Sequence, residues 1–320
     1  MKPQSPGWIA SLLLLAAAPA AADWPAMQWD PGAEQCRGHD QNRVESHAYD
    51  ATTVVIRQNP CVDHEANVLY LLTGSSRALL IDTGAVERED LAPVATTVAG
   101  ILAAAGRHDL PLLVAHTHGH LDHRAGDAQF AKVSGVTIAP VESGALRRFF
   151  GFRAWPRDIV QLDLGGRVID VIPTPGHHRD HVVFYDRNTQ LLFSGDFLLP
   201  GRLLVDDLDA YRASARRVAD FALSHPVRYV LGAHIELDAH GDPYSFGSTH
   251  HPSERALPLP PADLQALPAA LAGFNGFYSR YPDFIVVNSI HILVALASGL
   301  LLIVTALVWL VRRLWKRRRA

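Results

Sequence analysis

Four histidines and one aspartate fall within the nine residues Ala115–His123, which read AHTHGHLDH. The stretch follows an apolar run that predicts a buried strand, and it precedes a segment that can open a helix. Neutral imidazole and carboxylate are ligands that Zn²⁺ and similar borderline metals take in proteins. Because His118 and His120 alternate along the chain, both rings can face one metal, and Asp122 and His123 can face a second one beside it.

Four more motifs place a carboxylate or an imidazole at the end of a predicted strand. In chain order they read LIDTG, PTPGH, FSGD and LGAH, and they contribute Asp82, His177, Asp196 and His234. Together with the HGHLDH sequence at 118–123, this series resembles the metallo-β-lactamase fold superfamily and its HxHxDH signature. The resemblance covers roughly residues 54–254.

The resemblance implies an α+β fold, an αββα sandwich of two mixed β-sheets flanked by helices, with the site in loops at one sheet edge. It also implies two metals, expected to be zinc, with iron or manganese as alternatives. The implied ligands are His118, His120 and His177 for the first metal, Asp122, His123 and His234 for the second, and Asp196 as a bridge. Asp82 is expected to hold the ligand loop by hydrogen bonds, and a turn-forming aspartate is the alternative interpretation.

Two metals about 3.5–4 Å apart share a water and lower its pKa, so that hydroxide exists near neutral pH. We therefore expect a metal-dependent hydrolase with a dinuclear zinc centre. It would use a metal-bound hydroxide to attack an ester, thioester, lactone or amide substrate. Asp122 is the expected catalytic residue, because its carboxylate can also accept a hydrogen bond from the shared water and orient it.

Three alternatives stay open on the sequence. A β-lactamase fits an exported location, but β-lactamases of this fold generally lack the bridging aspartate that Asp196 would supply. An iron-dependent sulfur dioxygenase of the same fold uses one iron, whereas seven ligands favour two metals. A non-catalytic metal-binding module would not need every ligand intact. Leu199 stands where quorum-sensing lactonases of this fold carry a tyrosine, and a predicted membrane helix replaces the glutathione-binding domain of glyoxalase II enzymes.

Both ends of the chain carry targeting signals. Residues 1–22 combine Lys2, an apolar stretch and the small residues Ala20–Ala22, which is typical of a cleaved signal peptide, with an uncleaved anchor as the alternative. Ile290–Val311 has 22 residues without a charge, enough to span a bilayer, and six basic residues follow it. Basic residues stay in the cytoplasm, so we expect a single-pass inner (cell) membrane protein with its catalytic domain on the periplasmic, extracytoplasmic side.

These signals divide the chain into six segments. They are a signal peptide at 1–22, an irregular N-terminal extension at 23–51, the catalytic domain at 52–256, a Pro-rich linker with one short helix at 257–284, a transmembrane helix at 285–311 and a basic cytoplasmic tail at 312–320. Within the domain, periodicity predicts a β-branched strand at Thr52–Arg57 and a helix at Leu208–Ser224.

The composition of the exported part bounds its partners. Without Lys2 and the six basic tail residues, 22 Lys and Arg oppose 32 Asp and Glu, a net charge near −10. Nucleic-acid binding needs a basic footprint, so the expected partners are a small-molecule substrate and, through the C-terminal helix, a membrane. Cys36 and Cys61 are the only cysteines, and two cysteines in an oxidising compartment usually pair. We therefore expect a disulfide.

Overall fold

The computed structural model describes residues 23–38 and 42–318, with side chains up to residue 315. The predicted signal peptide and the last two residues of the predicted tail lie outside the described residues. The described strands are β1 (Val44–Asp50), β2 (Thr53–Gln58), β3 (Val68–Thr73), β4 (Ala78–Ile81), β5 (Leu112–Ala115), β6 (Val136–Ile138), β7 (Val160–Asp163), β8 (Val168–Pro173), β9 (Val182–Asp186), β10 (Leu191–Gly195), β11 (Arg202–Leu204), β12 (Tyr229–Gly232), β13 (Pro258–Leu259), β14 (Tyr278–Arg280) and β15 (Ile285–Val287). The described helices are α1 (Val94–Ala104), α2 (Leu121–Arg124), α3 (Asp127–Phe130), α4 (Ser143–Phe150), α5 (Leu208–Ser224), α6 (Pro261–Ala272) and α7 (Ser289–Arg318).

The first sheet has the strand order β1-β2-β3-β4-β5-β6. Strands β1 to β4 are antiparallel neighbours, whereas β4, β5 and β6 run parallel. Parallel neighbours need a crossover connection, which α1 supplies between β4 and β5, and α2 with α3 supplies between β5 and β6. Strands β3, β4 and β5 are buried on both faces, so their sequences are continuous apolar runs rather than alternating ones.

The second sheet has the strand order β13-β12-β10-β9-β8-β7. Strand β9 is antiparallel to both β8 and β10, and β10 is parallel to β12. Strands β8, β10 and β12 therefore run in one direction, as β4 and β5 do in the first sheet. Each of the five motifs follows the carboxyl end of one of these strands, which is why distant segments of the chain can meet at one edge of the sandwich.

The core is arranged in layers. The two sheets face each other across a buried apolar cluster in which the rings of Tyr70 and Phe193 lie 4.7 Å apart. Val98 of α1 packs on the outer face of the first sheet, and Tyr211 of α5 and Leu267 of α6 pack on the outer face of the second. Each fully buried large apolar side chain contributes roughly 1.5–3 kcal/mol. The predicted αββα sandwich is confirmed.

Residues 257–284, expected to be a linker, are folded onto the domain. Strand β13 pairs with β12, α6 packs against α5, and β14 pairs with β15, which in turn pairs in parallel with β11. Two of the prolines that suggested a linker stand where α6 begins: Pro260 precedes the helix and Pro261 opens it, where the missing N–H is not needed, whereas Pro268 lies inside the helix. Likewise, β1 lies within the extension expected to be irregular at 23–51.

A disulfide joins Cys36 to Cys61, as the sequence predicted. The bond ties the N-terminal extension to the loop after β2. Gly32, which is close to it in sequence, forms a bridge with His250, so the extension is held against the loop beyond the fifth motif as well.

The last helix, α7, leaves the domain directly after β15. Its segment Ser289–Trp315 has 27 residues, and the most apolar 18-residue stretch within it has a mean hydropathy of 2.6 and is not buried. Among the described residues it is the one helix long and apolar enough to cross a membrane. Residues 285–287, expected to be the start of this helix, form β15 instead.

Candidate metal centre

Three imidazoles form the first group of side chains at the sheet edge. His118 and His120 lie in the turn after β5, and His177 lies in the turn after β8. His118 Nε2 lies 2.8 Å from His120 Nδ1, and His177 Nε2 lies 3.2 Å from the former and 3.1 Å from the latter. Three ring nitrogens at this spacing converge as the ligands of one zinc ion do when each Zn–N distance is about 2.0–2.1 Å.

Two imidazoles and two carboxylates form the second group. His123 Nε2 lies 2.8 Å from Asp122 Oδ2 and 3.4 Å from Asp196 Oδ1. His234 Nε2 lies 3.4 Å from the same Asp122 oxygen and 3.3 Å from the same Asp196 oxygen. The ligand atoms within each group all lie within 4.8 Å of one another. The structure thus brings all seven predicted ligands together, in the two groups that the sequence predicted.

Asp196 lies between the two groups. Its Oδ1 faces His123 and His234, whereas its Oδ2 lies 3.4 Å from His177 Nε2. One carboxylate therefore presents an oxygen to each group. This is the arrangement that the bridging role of Asp196 requires.

Backbone carbonyls orient two of the imidazoles. His177 Nδ1 donates to Leu204 O at 3.0 Å, and His234 Nδ1 donates to Glu65 O at 2.9 Å. Because a carbonyl oxygen only accepts, the proton is fixed on Nδ1 and Nε2 faces the group with a free lone pair. The sequence analysis identified neither Leu204 nor Glu65. Every residue has a backbone carbonyl, so this role does not depend on residue type and cannot be recognised in a sequence.

Asp82 holds the ligand loop from below. It is 2% exposed and accepts hydrogen bonds from Thr117 N at 2.8 Å, Thr117 Oγ1 at 2.9 Å and His123 Nδ1 at 2.9 Å. Burial opposes its ionisation, but His123 and His116 outweigh burial and lower the pKa of Asp82 to about 2. The carboxylate therefore stays ionised, and its hydrogen bond to Nδ1 of His123 turns Nε2 of that ring toward the second group of ligands.

His116 is a second support that the sequence analysis did not assign. Its ring is buried, with Nε2 3.2 Å from Asp127 Oδ1 and Nδ1 3.8 Å from Asp82 Oδ1. Burial opposes protonation, but these two carboxylates raise the pKa of His116 to about 9. The signal that could have found it is a titratable side chain at the end of a fully buried strand, because such a group needs a charged partner.

The pKa shifts differ between the two groups of ligands. Burial opposes the protonation of His123 and His234, but Asp196 and the neighbouring carboxylates raise the pKa of both rings well above its usual value, so each would release a proton on binding a metal. Burial lowers the pKa of His118 well below its usual value, and burial with His177 lowers that of His120, so both rings are neutral and can bind a metal. Burial opposes the ionisation of Asp122 and Asp196, yet neighbouring histidines hold the pKa of both carboxyls below the ordinary range.

The donor set also fits a bound cation. Among the described residues, His123 Nε2 and Asp196 Oδ1 are buried and neither forms a hydrogen bond of normal geometry, although His123 Nε2 lies 2.8 Å from Asp122 Oδ2. Two ionised carboxylates and five imidazole nitrogens form a set that divalent metals with N and O ligands satisfy. The residues present therefore fit a two-metal centre.

Comparison with known families identifies the class. The model described as Metallo-beta-lactamase superfamily matches residues 64–234, a span that contains all seven candidate ligands. The chain belongs to the metallo-beta-lactamase superfamily. It is a metallo-hydrolase of that superfamily, as the named hydrolases among its relatives indicate.

Three relatives illustrate these similarities. The acyl-coenzyme A thioesterase MBLAC2 of Gallus gallus is 28% identical over 210 residues, which cover 54% of this chain and 74% of that protein. The hydroxyacylglutathione hydrolase of Rhodopseudomonas palustris (strain BisB18) is 34% identical over 118 residues, 37% of this chain and 44% of that protein. The atrochrysone carboxyl ACP thioesterase of Aspergillus fumigatus is 28% identical over 184 residues, 55% of this chain and 50% of that protein.

A solved structure is also similar. The metallo-beta-lactamase from Pontibacter korlensis shares 17% sequence identity with a TM-score of 0.46, and the match covers 72% of this chain and 100% of that one.

Proposed function

We propose that this protein is a dinuclear, zinc-dependent hydrolase of acyl thioesters, anchored in a membrane by α7. The observation that carries the dinuclear assignment is the position of Asp196, whose two oxygens face the two groups of ligands separately. Iron and manganese take nitrogen and oxygen ligands too, so the metal has to be measured.

The residues divide the work of hydrolysis. His118, His120 and His177 would hold the first ion, and Asp122, His123 and His234 the second, with Asp196 shared. When bound, the two ions supply Lewis acidity and lower the pKa of a water shared between them. Asp122 would accept a hydrogen bond from the attacking water. This bond would orient the water so that a lone pair on the water oxygen points at the acyl carbon. No Ser or Cys nucleophile is needed in this scheme.

The relatives favour a thioester among the four substrate classes that the sequence left open. Their names specify acyl groups carried on coenzyme A, on glutathione or on ACP. Each of these carriers presents a thiol to the acyl group, so the common substrate is an acyl thioester. Which thiol carrier holds the acyl group in the substrate of this chain is a separate question, and the membrane helix is relevant to it.

We also propose that the catalytic domain lies outside the cytoplasm. The Cys36–Cys61 disulfide supports this side, because disulfides persist in oxidising compartments and are rare in the cytosol. The basic residues that follow Val311 support the same orientation, since Lys and Arg are retained on the cytoplasmic side.

The test uses the full-length chain purified in detergent. Elemental analysis should find two zinc ions per chain, and a hexadecanoyl thioester should be cleaved faster than the matched oxygen ester, a lactone, an amide or a cephalosporin. Asp196→Asn should lose the second ion and most of the turnover, because the amide supplies one neutral oxygen in place of a bridging carboxylate. The loss of metal affinity or activity should exceed the 10- to 100-fold loss that is typical when a residue supporting a ligand is replaced.

Asp209→Asn is the matched control. Asp209 lies in the first turn of α5, its side chain is exposed, and its partner is Arg212 rather than a metal ligand. It should keep both ions and normal turnover. If Asp196→Asn keeps two ions and near-normal turnover, the two-metal assignment fails, and a single iron without hydrolysis would point to a dioxygenase instead.

A further inference from the structure

The apolar helix starts at the surface of the folded domain. Its uncharged part, Ile290–Val311, is about 33 Å long at 1.5 Å per residue, close to the ~30 Å hydrocarbon core of a bilayer. The first turn is held in place: Asn288 Oδ1 accepts from His291 N at 2.9 Å, and Asn288 N donates to Phe277 O at 3.0 Å. Phe277 and Tyr278 are exposed beside this turn, and aromatic side chains are typical of a membrane interface.

A rigid joint connects this helix to the metal centre. Strand β15 pairs with β11 so that Val287 lies opposite Leu204, and Val205 N donates to Val287 O at 2.8 Å. With a strand spacing of about 4.8 Å and three residues from Val287 to Ile290, Leu204 lies within about 15 Å of the start of the apolar helix. The carbonyl of Leu204 is the acceptor for His177. The centre is thus tied to the helix by the hydrogen bonds of β11 and β15.

The turn that carries His177 lies at the same end of β11. Asp206 N and Asp207 N both donate to Gly176 O, at 3.0 and 2.9 Å. Because β11 and β15 run in parallel toward the membrane helix, the turn with Gly176 and His177 is placed at the end of the domain that faces the membrane.

Three large apolar side chains are exposed around the centre, and we call them the rim. Leu121, which stands between two candidate ligands, is 67% exposed, Leu204 is 40% exposed and Phe246 is 86% exposed. The ring of Phe246 lies 5.0 Å from that of His64, and the next residue, Glu65, accepts from His234. Each of the three is tied by sequence or by contact to a candidate ligand or its support, so apolar surface is exposed on several sides of the centre.

We propose that the metal centre works against the bilayer surface, with the rim in contact with lipid, and that the substrate is an amphiphile whose long acyl chain stays in the membrane. The partner of the rim is the lipid bilayer, because the joint between β11 and β15 holds the metal centre next to the point where α7 enters the hydrocarbon core. The reaction at the acyl carbon rests on the proposed function, but the contact between rim and lipid does not. Because the domain carries a net negative charge, anionic lipids would not attract it. The contact would therefore depend on the burial of the apolar rim side chains in the membrane.

The first test measures depth in the membrane. The full-length chain carries a nitroxide label at Leu204→Cys and is reconstituted into vesicles of phosphatidylethanolamine and phosphatidylglycerol. The control carries the label at Leu223→Cys, a more exposed leucine near the other end of α5, roughly 25 Å along that helix. The label at 204 should be protected from a water-soluble relaxing agent and reached by a lipid-soluble one, whereas the label at 223 should show the reverse. Equal behaviour of the two labels would overturn the proposal.

The second test compares acyl chain lengths in the same vesicles. Phe246→Ser should lower the ratio of kcat/KM for a hexadecanoyl substrate over a butanoyl substrate by roughly tenfold, the order expected for losing the burial of one large apolar side chain. Leu223→Ser should leave that ratio unchanged. An unchanged ratio in Phe246→Ser would refute the role of the rim in binding the acyl chain.

The two tests separate the proposals. If no acyl substrate is cleaved by the wild-type chain, the proposed function fails, while the depth of the labels still decides whether the centre contacts the membrane. If cleavage is normal and neither label enters the lipid, the membrane contact is wrong and the hydrolase assignment stands.

Discussion

Asp82 offers a sharp test of how the ligand loop is positioned. Asp82→Ala would remove the acceptor of Thr117 N and Oγ1 and of His123 Nδ1, and it would leave His116 with Asp127 as its one carboxylate partner. The lowering of the Asp82 pKa from 3.8 to about 2 corresponds to roughly 2.5 kcal/mol of stabilisation of the ionised form. Breaking a buried charged pair by removing one partner costs about 3–5 kcal/mol. We therefore expect Asp82→Ala to lower the melting temperature by roughly 10 °C.

Asp82→Asn separates position from charge. The amide oxygen can still accept from Thr117 N, but its NH₂ group would face His123 Nδ1 and favour the tautomer with the proton on Nε2. That nitrogen could then not bind a metal. We expect a folded protein whose affinity for the second zinc ion falls about 10- to 100-fold, measured by competition with a chromogenic chelator.

Asp186→Asn is the control for a general loss of stability. Asp186 is buried and accepts from Arg167 and Thr189, and it ends β9, which runs opposite to the strands that carry the ligands. This variant should lower the melting temperature and keep both zinc affinities. The reasoning on Asp82 would be refuted if Asp82→Asn kept wild-type affinity for the second zinc ion.

The pH dependence of the Asp82 effect has a defined sign. The folded pKa of Asp82 is depressed below 3.8, so its contribution to stability is present above about pH 4 and is lost as the pH falls toward about 2. The difference in unfolding free energy between wild type and Asp82→Ala should therefore be constant near neutral pH and shrink in acid.

Three further predictions address the rest of the chain. Cys36→Ser, compared with wild type in urea unfolding, should cost about 3 kcal/mol, because the Cys36–Cys61 bond closes a loop with a sequence separation of 25; two freely alkylated thiols in unreduced wild type would contradict it. Glu254→Gln should cost about 3 kcal/mol by leaving the buried Arg57 without its ionised partner, and combining it with Arg57→Met should recover most of this loss. A reporter active only in the cytoplasm and fused after Arg318 should be active, and silence would mean that the orientation is reversed.

The sequence predicted the parts of the fold that local patterns encode. Leu208–Ser224 was predicted as a helix and α5 has these bounds, because one face of a 3.6-residue period is apolar over its whole length. The strand predicted at Thr52–Arg57 lies at Thr53–Gln58, since β-branched residues dominate it. Both elements are long enough for their own side chains to decide their structure.

Elements that depend on distant partners were not predictable in the same way. Strands β11, β14 and β15 have three residues each, too few for a pattern. They form one small sheet because β15, which is paired with its neighbour β14, also pairs with β11, a segment about 80 residues earlier. The prolines of 257–284 indicated a linker because proline interrupts both helices and ladders, but in the structure Pro260 and Pro261 mark the start of α6 and Pro268 is accommodated within that helix.

The candidate site shows the same division. The seven candidate ligands were named from the resemblance of five motifs to a known series, and the structure places their side chains together in two groups. The supports were not: the carbonyls of Leu204 and Glu65 act through the backbone, and His116 acts through Asp127, which lies eleven residues away. A support is defined by what it touches, and contacts of this kind appear only when the chain is folded.

The residues that orient the candidate ligands also connect the metal centre to segments near both ends of the chain. His177 depends on the carbonyl of Leu204 for its tautomer, Leu204 belongs to β11, and β11 is completed by β15, which leads directly into α7. His234 depends in the same way on Glu65, whose loop follows the cysteine tied to the N-terminal extension. One group of ligands is therefore supported by the strands that lead into α7, and the other by the loop tied to the N-terminal extension. Because a ring nitrogen binds a metal only in the right tautomer and orientation, segments outside the five motifs set the chemistry of the residues within them.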